Sequence, residues 1–143
     1  MSDYGQPDIA GTWDFQINDI EINEIGPPGQ LVVPHRIVNV PNQFQLTVKI
    51  HNEGFASSMI HGKLGTIEFQ ARECVSNTMT TLPSSSFTVQ TTLDFDVTSG
   101  VFTTGPGNDL DAGTYELTCL ASMDNAPESG ICSAFNQTMM KVI

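Results

Sequence analysis

The sequence predicts an all-β domain, an antiparallel β-sandwich of about seven strands, and three observations carry that reading. Apolar residues alternate with polar ones along many short segments, turn residues punctuate those segments, and no window keeps the three-and-four spacing of an amphipathic helix. Composition agrees: twelve Gly, eight Pro and only 15% charged residues leave a polar surface built from Thr, Ser, Asn and Gln, which suits strands and tight turns. With 143 residues, 39% of them hydrophobic, the chain can bury a core without metal or disulfide staples, so residues 1–143 read as one domain.

Taken in chain order, Trp13, Phe15 and Ile17 alternate in one phase, whereas Ile20 and Ile22 alternate in the other. One extra residue reverses the facing of everything after it, so the slip around Asn18-Asp19 predicts a β-bulge or a strand changing sheets. Residues 26 to 34, from Gly26-Pro27-Pro28-Gly29 to Pro34, read as a turn and an irregular edge. Successive strand side chains point to opposite faces, which puts Phe44, Leu46, Val48 and Ile50 on one face of a second strand, and Ile67, Phe69 and Ala71 on one face of a third. Thr78 to Ser86 reads as a Ser/Thr-rich connection. The strictest alternation, Phe87 to Val97, predicts one long half-buried strand, with Phe87, Val89, Leu93, Phe95 and Val97 inward and Gln90, Asp94 and Asp96 outward. Thr91 alone breaks its inward phase. Tyr115, Leu117 and Cys119 line a further strand, and Ala134 to Ile143, apolar on both parities, predicts a strand covered on both sides or ending in an interface. Hairpin punctuation falls at Asn52-Glu53-Gly54, Ser99-Gly100, Gly105-Pro106-Gly107-Asn108 and Asn125 to Gly130.

Two local resemblances refine the fold. Asp111, Gly113 and Tyr115, in the segment Asp111 to Cys119, resemble the F-strand motif of immunoglobulin domains, which implies an immunoglobulin-like sandwich with a structural corner at those three residues. The family's Cys position is held by Leu117, and neither Phe44 to Ile50 nor Ile67 to Ala71 carries its partner Cys or core Trp, so the usual cystine is missing. Gly11-Thr12-Trp13 resembles the G-x-W of lipocalin and avidin-like barrels, which implies the alternative fold, a lipocalin-like β-barrel holding a small apolar ligand.

The formal charge is −11, and the five basic residues, Arg36, Lys49, Lys63, Arg72 and Lys141, form no cluster. Coulomb repulsion therefore argues against nucleic-acid or anionic-membrane partners, and favours a basic partner or a cation. Residues 1–8 show neither the basic nor the apolar region of a secretory signal, and no apolar run has the length of a membrane span; the sequence reads as cytoplasmic. Cys74, Cys119 and Cys132 are an odd number without C-x-x-C spacing, which predicts buried, reduced thiols and argues against a zinc site.

Candidate chemistry is sparse. His35, His51 and His61 lie in or beside turns with no spacing that converges two of them on one face, although Glu53 can pair with His51. No G-x-S-x-G elbow accompanies the serines, and no catalytic residue or cofactor site is assigned. Asp94 with Asp96 forms one acidic grouping, and Asp109 with Asp111 another; the loop pair Asp109 and Asp111 is the candidate for calcium, the same residue types being equally suited to turn-forming bonds. Asn136-Gln137-Thr138 fits the glycosylation sequon by chance in a chain without a secretory signal. The function expected is a non-enzymatic binding or interaction module, with a protein partner or self-association; the alternatives are a small apolar-ligand carrier and an enzyme whose site is scattered through the sequence.

Overall fold

Strand formation follows the alternation closely in the computed structural model, which describes residues 14–26, 32–54, 57–124 and 133–143. The described strands are β1 (Asp14–Ile25), β2 (Val32–Pro34), β3 (Ile37–Val38), β4 (Gln43–Glu53), β5 (Leu64–Glu73), β6 (Met79–Thr88), β7 (Asp94–Thr98), β8 (Gly113–Met123) and β9 (Ser133–Val142). Helical geometry among the described residues is confined to one turn, Ser57–Ile60, so the all-β class holds. One sheet has the order β2-β1-β4-β7 and the other β3-β9-β8-β5-β6. Every pairing is antiparallel except that of β3 with β9.

The core draws on both sheets. Ile22, Leu46, Val48 and Phe95 from the first join Ile67, Phe69, Leu117, Cys119 and Met140 from the second in a single buried cluster. Phe102, in the β7–β8 connection, ties them: its ring centroid is 5.3 Å from Phe44 on β4 and 5.9 Å from Phe69 on β5, the latter edge-on. Phe87 of β6 meets Phe95 of β7 at 6.3 Å.

The phase slip in β1 is a bulge. Ile17 pairs with Ile50 but Asp19 pairs with Lys49, leaving Asn18 as the extra residue, so Ile17, Ile20 and Ile22 are all buried. The Ile17 carbonyl accepts the Asn136 side-chain amide of β9 at 2.9 Å.

Four expectations need correction. Phe87 to Val97 is not one strand: β6 ends at Thr88 in the five-stranded sheet and β7 begins at Asp94 in the four-stranded one. Val89 still bonds Lys63 and Gly62 through its backbone, but the chain then crosses between sheets and leaves Leu93 48% exposed. Thr78 to Ser86, read as a connection, is mostly β6; its Ser and Thr face solvent on an edge strand, while Leu82 is buried. Cys74 is exposed in the turn after β5, unlike the buried Cys119. Of the two readings of Ala134 to Ile143, coverage on both sides fails: in β9 only one face is covered, and Phe135 and Met139 are exposed on the other, as the alternative of an interface allows. Gly11, Thr12, Trp13, Cys132 and the Asn125 to Gly130 turn lie outside the described residues.

Two glycines in the β7–β8 connection are required by backbone geometry: Gly105 and Gly107 have φ of 112° and 81°, a region that β-carbon sterics close to most residues.

Candidate functional site

The alternation that sends Ile50 into the core turns His51 to the outer face of the four-stranded sheet, together with Glu53. Strand register supplies the rest. Asp94 of β7 stands directly opposite His51, and Asp14 of β1 directly opposite Glu53. Three carboxylates from three strands thus surround one imidazole. Nδ1 lies 2.6 Å from Asp94 Oδ1, and Nε2 lies 2.8 Å from Glu53 Oε1 and 3.8 Å from Asp14 Oδ2. The His51 side chain is only 14% exposed, whereas its acidic neighbours are half-exposed or more.

Carboxylates only accept hydrogen bonds, so the doubly protonated imidazolium is the form that satisfies both ring nitrogens. The bonds to Asp94 and Glu53 accordingly raise the His51 pKa above its ordinary value; burial opposes this, and the charges of Asp94 and Asp14 add to it. Among the described residues, Asp14, His51 and Glu53 are the group of metal-capable side chains whose ligand atoms all lie within 4.8 Å of one another.

Of this cluster, the sequence exposes only the pairing of His51 with Glu53. Asp94 was grouped with Asp96, which instead faces Lys49 at 3.4 Å, and Asp14 carries no local signal at all. The register that assembles the cluster depends on which strands become neighbours.

The loop carboxylates behave differently. Asp109 accepts the Thr103 backbone N–H at 2.8 Å and its hydroxyl at 3.1 Å, while Asp111 accepts the Ala112 N–H at 2.7 Å. Both side chains thus serve local turns. His35 is placed beside Glu24 at 2.8 Å. Burial pushes the Glu24 carboxyl up, but bonds donated by Asn39, Asn42 and His35 together hold it below its usual range, and they tie residues 35–42 to the end of β1. His61 follows the helical turn. Burial pushes the Cys119 thiol up to about 12, which keeps it protonated and unreactive.

Asp111, Gly113 and Tyr115 come together. The buried Tyr115 donates its hydroxyl to the Asp111 carbonyl at 2.7 Å, and a β-carbon on Gly113 would stand 3.1 Å from the Glu73 carboxylate. That carboxylate also caps the β5–β6 turn through the N–H groups of Val75 and Ser76.

A second surface lies on the outer face of the five-stranded sheet. Leu120 of β8 is flanked in register by Phe135 of β9 and Glu68 of β5. With Gln70 and Thr118 they line a depression of about 270 Å³, at which Phe135 is 68% and Leu120 39% exposed. Met139 and Ile37 continue the exposed apolar side chains along β9 and β3.

No protein-family model matches the chain, and no curated protein matches it. Among solved structures, the chain is similar to the CARDB domain of a Pyrococcus furiosus protein, crystallised in complex with di-metal ions. The two share 12% identity and a TM-score of 0.50 over 92% of this chain and 90% of that one. The likeness is one of fold: both chains are all-β, and the neighbour's domain is of the immunoglobulin-like kind.

Proposed function

We propose that this chain is a non-enzymatic interaction module built as an immunoglobulin-like β-sandwich. Three observations support the sandwich: both sheets feed one buried cluster, Phe102 and the Phe87–Phe95 pair span them, and the Tyr115–Asp111 bond has the form of the tyrosine corner found in such domains. The function rests on the apolar depression around Phe135 and Leu120. An exposed aromatic ring beside an aliphatic side chain, on a sheet face with polar neighbours, is the composition of a protein contact. The partner carries an apolar centre with a basic rim, because Glu68 borders the depression and the chain's charge is −11.

Immobilised extended peptides that alternate Leu or Phe with Lys or Arg provide the probe. Saturable binding is expected, weakened at least tenfold by Phe135→Ser and unchanged by Val75→Ser, a substitution at the exposed β5–β6 turn. Binding indifferent to Phe135→Ser overturns the reading. So does saturable uptake of a fatty acid or retinoid, one per chain, with a shift in Trp13 fluorescence; that result establishes the carrier instead.

A further inference from the structure

We infer that Asp14, His51 and Glu53 form a binding site for a divalent first-row transition-metal ion, with Asp94 orienting the imidazole from behind. The site stands on the other sheet from the apolar depression, and it is independent of the interaction reading.

Geometry carries the inference. Ligand atoms about 2.0–2.1 Å from a common ion stand about 2.8–3.4 Å from one another, the shorter value in octahedral and the longer in tetrahedral arrangements. Nε2 of His51 lies 2.8 Å from Glu53 Oε1 and 3.8 Å from Asp14 Oδ2, which brackets that separation. All three ligand atoms lie within 4.8 Å of one another, and both carboxylates are half-exposed, at 56% and 50%, so each can swing toward a shared ion. His51 cannot: it is 14% exposed, and Asp94 holds Nδ1 at 2.6 Å. A carboxylate on one ring nitrogen leaves the other aimed at the ion and more basic, the arrangement that recurs behind metal-bound imidazoles. Three strands also converge here, with β4 in the middle contributing two ligands and β1 the third, so the ion would pin β1 to β4.

The donor set selects the metal class. An imidazole nitrogen with two carboxylates suits zinc, nickel, cobalt or manganese, whereas calcium and magnesium call for oxygen alone. Three protein ligands leave one or more positions to water. In the imidazolium form Nε2 carries a proton facing Glu53, and the ion takes its place, so binding to that form releases a proton and weakens as the pH falls.

Zinc titration by calorimetry tests the site, using the full chain with Cys74→Ser to remove the exposed thiol. Two buffers of different ionisation enthalpy report the proton. Expected are one zinc per chain, release of about one proton, an affinity at least tenfold lower in Glu53→Gln and in Asp14→Asn, and loss of the site in His51→Gln. Asp96→Asn, which removes a nearby carboxylate outside the set, leaves affinity within twofold. Each variant's thermal melt without zinc establishes that it folds, and the two exposed carboxylate variants decide the matter if His51→Gln does not. The absence of saturable heat at millimolar zinc overturns the inference, as does a stoichiometric site that survives both carboxylate substitutions or His51→Gln.

Discussion

Tyr115 donates its hydroxyl to a carbonyl four residues upstream, and the bond fixes how the chain turns into β8. Replacing it with Phe keeps the ring in the core and leaves the Asp111 carbonyl without this donor. Tyr115→Phe is therefore expected to destabilise the domain by about 1 kcal/mol, read from the urea midpoint at unchanged slope. An unchanged midpoint would reduce Asp111 to Tyr115 to an ordinary turn. The Tyr115–Asp111 contact is local, a hydroxyl meeting a backbone carbonyl within five residues through one turn, which is why the segment stood out in the sequence. Beyond Glu53 the partners of His51 were not legible, because Asp14 comes from 37 residues before it and Asp94 from 43 after it. The same cluster makes stability depend on pH. Its bonds raise the folded-state pKa of His51 above the ordinary 6.5. Below that value both folded and unfolded chains hold the proton and the clasp contributes fully; as the pH rises through the folded value, the proton leaves and the contribution is lost. The stability advantage of the native chain over His51→Gln should thus be full below the ordinary 6.5 and shrink as the pH rises above it, a trend checked by denaturant melts of both proteins. A constant difference would mean that the imidazole is held for its shape alone.

At the scale of elements, β5 and β6 meet through an unusual pair. Gly65 lies opposite Phe87, and a β-carbon there would come within 2.4 Å of the Phe87 ring and 2.9 Å of the Ser122 carbonyl. The aromatic ring covers the glycine, filling space that another residue's side chain would claim. Gly65→Ala should therefore destabilise by about 1–3 kcal/mol through overpacking, since the ring could yield only by leaving its contact with Phe95 and the Ser122 backbone cannot yield at all. A melt within experimental error of the native chain would mean that Phe87 has a second place to go. The strands themselves were legible where an alternating apolar face is continuous, as in β4, β5 and β8. The Asn18 bulge was legible for the same reason, because it inverts the phase of Ile20 and Ile22. β6 was missed because its inward positions are few and a second irregularity disturbs them: Ile67 pairs with Ser85 but Phe69 with Leu82, so Pro83 and Ser84 together oppose Glu68. A proline without an N–H and a bulge on an outermost strand interrupt the row of bonding groups that another strand could join.

For the whole molecule, class and core were readable, but sheet membership was not. Phe87, Val89, Phe95 and Val97 are all buried, as their spacing requires, yet Phe87 belongs to one sheet, Phe95 and Val97 to the other, and Val89 lies just beyond the end of β6. Alternation reports which way a side chain faces, and the inward direction is shared by both sheets, so a crossing such as that between Thr88 and Asp94 leaves the pattern nearly intact; only Thr91 marks it. The contact between Asn136 and the Ile17 carbonyl has a different kind of consequence. It joins residues 119 apart, and β9, to which Asn136 belongs, is seated between β3 and β8. The four-stranded sheet has all its strands by Thr98, but the five-stranded sheet cannot be finished without β9, and the Ile17 carbonyl beside the bulge of β1 must remain solvated until that strand arrives. At 5–20 residues per second of translation, that wait is roughly 6–24 s. Closure of so many distant pairings is slow even in a complete chain. The five-stranded sheet therefore closes only once β9 is available, and until then the unpaired edge of β8 depends on its polar residues to stay apart from its neighbours.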